Sequence, residues 1–310
     1  MRVAIIGRSD ALFHAAQMVL EKGHVIPLVV TSKAAPEYKY DEASFEGLAN
    51  RVGAKFIHTT QLSNRIGELR EMGGMDIAIS ANYTSILSGE IIDLFRLGIL
   101  NAHGGDLPLY RGNACQAWAI LNGESRVGLC VHKMIGGQLD SGDIIARDYT
   151  MISENTKVGT VLDWIAERAP TLFLESIAAL ELDPSYYLER QSTDRNDILR
   201  CYPRAPDDGA ITWNSAAIDI LRLINASSRP YAGAFCSLRG EKLIVWDAEL
   251  HEDRERFLAV PGQVTEICRD AVIVATGQGK IRIKTVEYKS KLCLPSDIIT
   301  SLRARLSDGR

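Results

Sequence analysis

Compact apolar runs separated by helical segments dominate the first 80 residues, and this alternation limits the fold more than any other feature. Val3–Ile6 and the stretches 24–31 and 75–80 are apolar without a strict polar–apolar alternation. Such runs are typical of strands that are buried on both faces of a parallel sheet. Apolar residues recur at helical spacing in residues 10–22, 42–52 and 62–72. The pattern predicts βαβ units and an α/β domain with helices on both faces of its sheet.

A different pattern begins beyond Ala210. It follows a transition, residues 184–209, in which Pro184, Pro203 and Pro206 stand among polar and charged residues. Short β-rich runs then occur at 242–246, 262–268, 271–276 and 280–286. Short strands at this spacing predict a small β-barrel. We therefore predict two domains, residues 1–200 and residues 201–310.

The charge balance disfavours nucleic acid as a partner. The chain has 310 residues and a formal net charge of -4. Its first 200 residues hold 19 basic and 25 acidic side chains, and the remainder holds 16 basic and 14 acidic ones. Nucleic-acid binders usually carry a basic surplus, because neutralising phosphates supplies most of their affinity.

The cysteines and the N-terminus predict a cytoplasmic protein. None of the six cysteines forms a Cys-x-x-Cys pair, so neither a zinc site nor a redox motif is indicated. We expect reduced, buried thiols, as in cytoplasmic proteins. The apolar run after Met1 stops at Gly7, which is too short for a signal peptide or a membrane helix.

The turn after the first predicted strand reads GRSDAL. It lacks the three-glycine fingerprint of dinucleotide binders, so a nicotinamide cofactor is not indicated. A phosphate at the start of the next helix would suit its free amides and its dipole, with Arg8 and Ser9 assisting. The alternative is a tight turn with an N-cap at Ser9 or Asp10, and the residues leave both interpretations open.

Asn101 and His103 follow the apolar run LGIL and are two residues apart. In an extended chain their side chains point to the same face, at a strand end where open parallel sheets bind ligands. The asparagine amide can donate to a developing oxyanion, and the histidine can move a proton near pH 7. Asp140, in the glycine-flanked turn QLDSGD, can join them if the two strands are neighbours. From spacing alone, an unrelated loop pair stays an open alternative.

The stretches NAHGGDLPLYRG and LDSGDII resemble the folate-dependent formyltransferase superfamily, which includes methionyl-tRNA, glycinamide ribonucleotide and sugar-nucleotide formyltransferases. The shared pattern is Asn-x-His-x-x-x-Leu-Pro-x-x-x-Gly, followed by Asp in a Leu-Asp-x-Gly-Asp/Ala context. The matching residues are Asn101, His103, Leu107, Pro108, Arg111, Gly112, Leu139, Asp140, Gly142 and Asp143. The triplet Gly104, Gly105 and Asp106 departs from the Ser-Leu-type pair of many members, which alters the loop and leaves the three candidate catalytic residues in place.

Two more segments extend the resemblance. Residues 204–213 (RAPDDGAITW) resemble the segment that opens the second domain of two-domain members, and residues 229–235 resemble their Pro-x-x-Gly-Ala-Phe segment. The resemblance implies a Rossmann-like parallel-sheet formyltransferase domain followed by a small OB-like β-barrel domain. It also implies transfer of the formyl group of 10-formyltetrahydrofolate to an amine without a metal, with Asn101, His103 and Asp140 as the catalytic residues.

The resemblance also suggests where the two substrates bind. It places the folate against the loops that precede Asn101 and Asp140. The implied cofactor-binding residues are Ser85, Ile86, Leu87, Arg111, Gly136, Gly137, Gln138 and Leu139. The substrate-binding candidates are Arg8, Ser9, Tyr83, Asn113, Gln116 and His132. Several alternatives stay open: Gly136 and Gly137 can also be ordinary turn glycines, Arg111 can brace its loop, and His132 can be a buried strand residue.

The run His132-Lys133-Met134 looks more like enzymes that formylate the 4-amino sugar of a nucleotide-linked sugar than like the tRNA enzymes. The acidic balance agrees, so we expect a nucleotide-sugar N-formyltransferase of lipopolysaccharide or glycan biosynthesis. The alternatives are a methionyl-tRNA formyltransferase, a formyltetrahydrofolate hydrolase and a non-catalytic folate-binding paralogue. A homodimer is implied by the resemblance only, and no membrane partner is expected.

Overall fold

The computed structural model describes residues 1–252 and 255–309. The chain divides into two compact units. The first comprises Met1–Cys115, Val127–Thr150 and Leu162–Cys201, and the second comprises Gln116–Arg126, Met151–Val161 and Tyr202–Arg310.

The secondary structure follows the chain in this order. The strands are β1 (Val3–Gly7), β2 (Leu28–Thr31), β3 (Lys55–His58), β4 (Ile77–Ala81), β5 (Ile99–His103), β6 (Arg111–Gly112), β7 (Arg126–Lys133), β8 (Ile144–Met151), β9 (Arg200–Cys201), β10 (Ala234–Leu238), β11 (Glu241–His251), β12 (Val264–Ile267), β13 (Val272–Ala275), β14 (Lys280–Tyr288), β15 (Lys291–Cys293) and β16 (Leu306–Ser307). The α-helices are α1 (Asp10–Glu21), α2 (Glu42–Val52), α3 (Ile66–Met72), α4 (Gly89–Ile92), α5 (Cys115–Asn122), α6 (Val158–Leu182), α7 (Ala217–Ala226) and α8 (Pro295–Ile298). Short 3-10 helices span Leu62–Arg65, Arg195–Asp197 and Pro206–Gly209.

The sheet of the first unit has the strand order β3-β2-β1-β4-β5-β7-β8. Strands β1 to β5 are parallel, whereas β7 runs antiparallel to β5. The predicted Rossmann-like parallel sheet is confirmed. The reversed direction of β7 was not predicted, because a strand that is buried on both faces shows the same apolar pattern in either direction.

Local sequence explains why the first elements form. Every residue of β1 and of β4 is buried, as their continuous apolar runs predicted. Helix α1 begins after Ser9, whose Oγ accepts a hydrogen bond from the Leu12 amide at 3.2 Å. Helix α2 is capped in the same way by Asp41 and ends at Gly53, which adopts a left-handed conformation with φ 69°. Because β1, β2 and β4 are parallel, the loops that follow them lie at one edge of the sheet.

The second unit is built on an antiparallel sheet with the order β12-β13-β14-β11-β10-β16, with β15 paired to β14. A bridge between Gln263 and Arg305 joins the two ends of this order, so the sheet curls into a barrel around Trp213 and its apolar neighbours. The predicted β-barrel is confirmed. Helix α7 and strand β10 were not predicted. Among the residues that the structure describes, no helix is long and apolar enough to cross a membrane.

Candidate active site

Asn101 and His103 end strand β5, and the neighbouring strand β7 brings a second histidine to them. The register pairs Asn101 with His132 and His103 with Cys130. Directly opposed residues of an antiparallel pair project to the same face. Nδ2 of Asn101 accordingly lies 3.2 Å from Nε2 of His132. The strand end therefore presents an amide and two imidazoles on one side of the sheet.

Asp140 lies at the centre of this group. Its Oδ1 is 3.4 Å from Nε2 of His132 and 3.5 Å from Nδ2 of Asn101. Its Oδ2 accepts a hydrogen bond from the Gly112 amide at 3.0 Å and lies 3.5 Å from Nδ1 of His103. The condition that the sequence set for this meeting, that the strand before Asp140 is a neighbour of β5, is thus met. The three predicted catalytic residues and His132 form one polar cluster.

The surroundings of Asp140 keep its carboxyl ionised. Burial raises its pKa, but the positive charges that His103 and His132 carry when protonated, together with hydrogen bonds from the protonated His132 ring and the Gly112 amide, lower the pKa by more. The net pKa lies well below the usual range for an aspartate. The side chain is therefore a fixed negative charge that is only 9% exposed.

His103 is oriented by a main-chain carbonyl. Its Nε2 lies 2.7 Å from the Tyr110 oxygen, so Nε2 carries the hydrogen and Nδ1 faces Asp140. Gly105 is essential for this contact, because a Cβ at that position would lie 2.6 Å from Nε2 of His103 and 2.5 Å from the Tyr110 oxygen. The Cys115 thiol also donates to the Tyr110 oxygen, at 2.8 Å. In the neutral form of the ring, Nδ1 is thus the unprotonated nitrogen and faces the carboxylate.

Arg111 braces its loop, which is one of the two roles that the sequence left open. The side chain is 8% exposed. Its Nε and Nη2 donate to Oε1 of Gln191 at 3.2 and 2.8 Å, and Nη2 also donates to the Ser192 oxygen at 3.2 Å. The structure therefore joins Arg111 to the segment that follows α6.

The two loops expected to hold the folate lie side by side. The Gly137 amide donates to the Leu87 oxygen at 3.1 Å, which links residues 85–89 to residues 135–139. Gly136 is required there because a Cβ would lie 2.3 Å from the Gly89 nitrogen, so its smallness permits the close packing of the two loops. Ile86 and Ile135, one on each loop, are 59% and 41% exposed. Exposed apolar side chains on joined loops fit a flat aromatic ring.

Other residues of these loops are engaged locally. The Ser85 hydroxyl donates to the Thr60 oxygen, and Oε1 of Gln138 accepts from the Ser141 hydroxyl at 2.8 Å. Leu87 is buried and packs in an apolar cluster, whereas Leu139 is half-buried. For Ser85 and Leu87, the expected folate contacts would thus come from main-chain atoms.

The residues after β1 and β4 meet at the point where the strand order changes direction. Nε of Arg8 donates to the Asn82 oxygen at 3.2 Å, and Nη1 of Arg8 donates to the Lys33 oxygen. Ser9 is buried and caps α1, so the N-cap interpretation describes its side chain. The Tyr83 hydroxyl donates to the Thr59 oxygen at 2.9 Å, and burial raises the pKa of Tyr83 to about 12. Tyr83 is therefore a half-buried residue whose hydroxyl is held by the segment after β3.

The remaining substrate-binding candidates lie around the start of α5. Asn113 is exposed, and its main-chain amide donates to the Cys201 main-chain oxygen at 3.1 Å. Gln116 is half-buried in the first turn of α5. In residues 1–252 and 255–309, no group of three or more His, Cys, Asp or Glu side chains is arranged to hold a metal ion.

Sequence reasoning missed two features of the site. His132 is a buried strand residue, one of the alternatives that the sequence left open, and its contacts with Asn101 and Asp140 were not predicted. Gln191 was not predicted as a site residue, although its Nε2 donates to the main-chain oxygens of Asp140 at 3.0 Å and of Gly142 at 2.7 Å. The strand register was the only signal that could have placed His132, and no local pattern marks Gln191.

The fold and the site together define a folate-dependent enzyme that transfers a formyl group. The chain belongs to the formyl transferase family, whose models match residues 1–177 (Formyl transferase) and residues 204–302 (Formyl transferase, C-terminal domain).

Similar proteins carry several specific names. The methionyl-tRNA formyltransferase of Desulfotalea psychrophila is 27% identical over 295 residues, which are 94% of this chain and 89% of that protein. The methionyl-tRNA formyltransferase of Agathobacter rectalis is 27% identical over 296 residues, which are 94% of this chain and 93% of that protein.

Solved structures share the fold. The N-formyltransferase from Helicobacter canadensis, in complex with folinic acid and dTDP-3-aminofucose, has a TM-score of 0.67 at 17% identity and covers 92% of this chain and 99% of that one. HypX from Aquifex aeolicus, in complex with tetrahydrofolic acid, has a TM-score of 0.64 at 16% identity and covers 97% of this chain and 47% of that one.

Proposed function

We propose that this enzyme moves the formyl group of 10-formyltetrahydrofolate to the amino group of a nucleotide-linked amino sugar. The observation that carries the reaction is the ionised Asp140, held against His103 and beside the amide of Asn101. This cluster combines a fixed negative charge, a proton acceptor and a hydrogen-bond donor for the oxyanion. Formyl transfer to an amine requires all three.

Nδ1 of His103 is the base in this mechanism. Asp140 is a weak base because its pKa is lowered. The proton of the attacking amine therefore goes to Nδ1 of His103, since Nε2 already carries the hydrogen donated to Tyr110. Asp140 stabilises the resulting imidazolium across the 3.5 Å contact. His103 then returns the proton to the departing nitrogen, which avoids a high-energy anionic leaving group.

Asn101 stabilises the negative charge that develops on the formyl oxygen. Its Nδ2 has two hydrogens, and one is donated to Nε2 of His132 at 3.2 Å. The Asp140 contact, at 3.5 Å, is at the outer limit of a hydrogen bond, so the second hydrogen can turn to the substrate oxygen. 10-Formyltetrahydrofolate supplies the electrophilic carbon when bound. We assign its ring to the joined loops that carry Ile86 and Ile135.

A nucleotide-linked sugar suits the charge of this chain better than tRNA does. Binding an RNA requires many phosphate contacts and thus a basic surface, whereas residues 1–200 hold 19 basic and 25 acidic side chains. A nucleotide diphosphate needs only a few cations. Arg8 stands at the start of α1, where helix amides favour an anion, and it has more N–H groups than its two carbonyl contacts use. We propose that Arg8 contacts the diphosphate.

Methionyl-tRNA is the second candidate acceptor. It is favoured by one observation, the near full-length similarity to methionyl-tRNA formyltransferases at 27% identity. The two proposals differ in salt dependence, because only a polyanionic substrate gives a steep loss of affinity as salt rises.

The deciding experiment supplies 10-formyltetrahydrofolate with dTDP-, UDP- and GDP-linked amino sugars and, separately, with charged initiator tRNA. Release of tetrahydrofolate and the mass of the product are measured. We expect formylation of a nucleotide sugar, with a higher KM in Arg8→Ala and an unchanged KM in Arg239→Ala, a surface control in the second unit. Turnover with tRNA alone would refute the sugar proposal. Steady formate release without any amine would indicate a hydrolase.

A further inference from the structure

We propose that Gln191 is a positioning residue that holds Asp140 in its reactive orientation and couples it to Arg111. The inference rests on the catalytic role proposed above for Asp140. Gln191 is 8% exposed, as is Arg111, so both side chains act inside the protein.

The contacts of Gln191 fix its amide without ambiguity. Arginine is a donor only, so the Gln191 atom that faces Arg111 at 2.8 and 3.2 Å must be the oxygen. The NH₂ group then points the other way and donates to the main-chain oxygens of Asp140 at 3.0 Å and of Gly142 at 2.7 Å. One side chain thus connects the loop of Arg111 to both ends of the Asp140 turn.

Asp140 needs such support because of its backbone. Its φ is 49°, a left-handed conformation that non-glycine residues seldom adopt and that persists when the surroundings hold it. The paired hydrogen bonds from Gln191 hold the carbonyls of Asp140 and Gly142. The Gly112 amide holds the carboxylate itself, and Gly112 directly follows Arg111. The Arg111–Gln191 contact therefore couples the supports of the Asp140 main chain and side chain.

Gln191 comes from a segment that neither family match covers. The matches end at residue 177 and resume at residue 204. The chain between them is nevertheless tied to the site on both sides of Gln191. The Ile144 amide donates to the Glu189 oxygen at 2.8 Å, and the Arg111 amide donates to the Leu199 oxygen at 3.0 Å. We infer that this connecting segment supplies part of the active-site framework.

Gln191→Glu is the decisive variant. It keeps the size of the side chain and an oxygen for Arg111, but it places a second oxygen against the carbonyls of Asp140 and Gly142. We expect kcat to fall about tenfold to a hundredfold, as a small misplacement of a reacting group does, while KM for both substrates stays near the wild-type value. Gln191→Met, which loses all four contacts, should show a similar fall. A wild-type kcat in Gln191→Glu beside a low kcat in Gln191→Met would overturn the proposal, because Gln191 would then serve Arg111 alone.

A double-mutant cycle separates positioning from general stability. In an Asp140→Asn background, Gln191→Glu should lower kcat little further, since the group that it positions is already lost. Full additivity would overturn the proposal. Asn225→Asp is the matched control, because the Asn225 amide is also buried and donates to a main-chain oxygen, that of Glu154, at 2.7 Å. It should lower Tm and leave kcat unchanged.

Two failures can be told apart in the same assay. Near-normal turnover by Asp140→Asn would refute the proposed chemistry, and the role of Gln191 with it. Normal turnover by Gln191→Glu in an enzyme that Asp140→Asn inactivates would overturn the positioning role alone. Arg111→Lys gives an independent check, because an ammonium cannot reproduce the forked contact with Gln191. We expect the kcat of Arg111→Lys to fall less than that of Gln191→Glu. An unchanged kcat would contradict the coupling of Arg111 to Asp140.

Discussion

Asn101 and His132 face each other across the antiparallel pair β5–β7, with Nδ2 of Asn101 3.2 Å from Nε2 of His132. Nδ1 of His132 lies 2.9 Å from the Lys133 oxygen, so this nitrogen carries the hydrogen and Nε2 accepts from Asn101 in the neutral ring. His132 thereby sets the direction of the amide that is proposed to bind the formyl oxygen.

Replacing His132 by leucine should lower kcat. The leucine leaves the buried Asn101 amide without its acceptor, which costs about 1–3 kcal/mol. We expect a fall of about tenfold to a hundredfold if that cost appears in the transition state. His132→Gln, which can still accept from Asn101, should lose less. Steady-state kinetics of both variants check this, and equal rates in the two would show that His132 acts by volume only.

Replacing Asp140 by asparagine should abolish most of the activity without unfolding the protein. The variant loses the charge that stabilises the His103 imidazolium, and losing such a contact costs about 10² to 10³ in rate. Single-turnover formyl transfer and far-UV circular dichroism measure the two effects. A native fold with a rate close to wild type would refute the mechanism.

The pKa of Asp140 also predicts how stability depends on pH. It is lower in the folded chain than its ordinary value of 3.8, so the unfolded chain binds the proton more tightly. The carboxylate stabilises the fold fully above the unfolded-state pKa, and this contribution is lost as the pH falls through the folded-state pKa. The difference in free energy of unfolding between wild type and Asp140→Asn should therefore be steady above about pH 5 and shrink below about pH 4. Urea unfolding at a series of pH values measures it, and a difference that stays constant down to about pH 3 would contradict the assignment.

Gly105→Ala should damage the site by crowding alone. The new methyl group would lie 2.6 Å from Nε2 of His103 and would displace the Tyr110 contact. We expect a fall in kcat of about a hundredfold, as for a displaced catalytic group. Gly67→Ala, at an exposed position in α3 where a Cβ meets nothing within 4 Å, is the control and should keep its activity. Similar losses in the two variants would contradict the steric argument.

Cysteine reactivity tests the burial of the thiols. Cys115, Cys130, Cys201 and Cys236 are buried, whereas Cys268 and Cys293 are half-buried. Burial raises the pKa of Cys236 to about 12, which suppresses its thiolate. Titration of the native protein with an aromatic disulfide should modify Cys268 and Cys293 first. The four buried cysteines should react only after unfolding. Rapid native modification of Cys115 or Cys201 would contradict this.

The sequence was informative wherever a signal is local. Continuous apolar runs predicted β1 and β4, because a strand buried on both faces needs no alternation. The two-residue spacing of Asn101 and His103 placed them on one face, because side chains alternate along a strand. The motif around Asp140 added the third residue, and its resemblance named the chemistry.

The tertiary structure decided what depends on register and on distant segments. His132 joined the cluster only because β7 runs antiparallel to β5 in the register that pairs it with Asn101, and a shift of one residue would turn it to the other face. Gln191 lies 80 residues from Arg111 and 51 from Asp140, yet it bonds to both. No local pattern encodes such contacts, because they depend on how the segment after α6 folds back onto the sheet. The three residues that resemble a known site are thus readable in the chain, whereas the supports that orient them exist only in the folded protein.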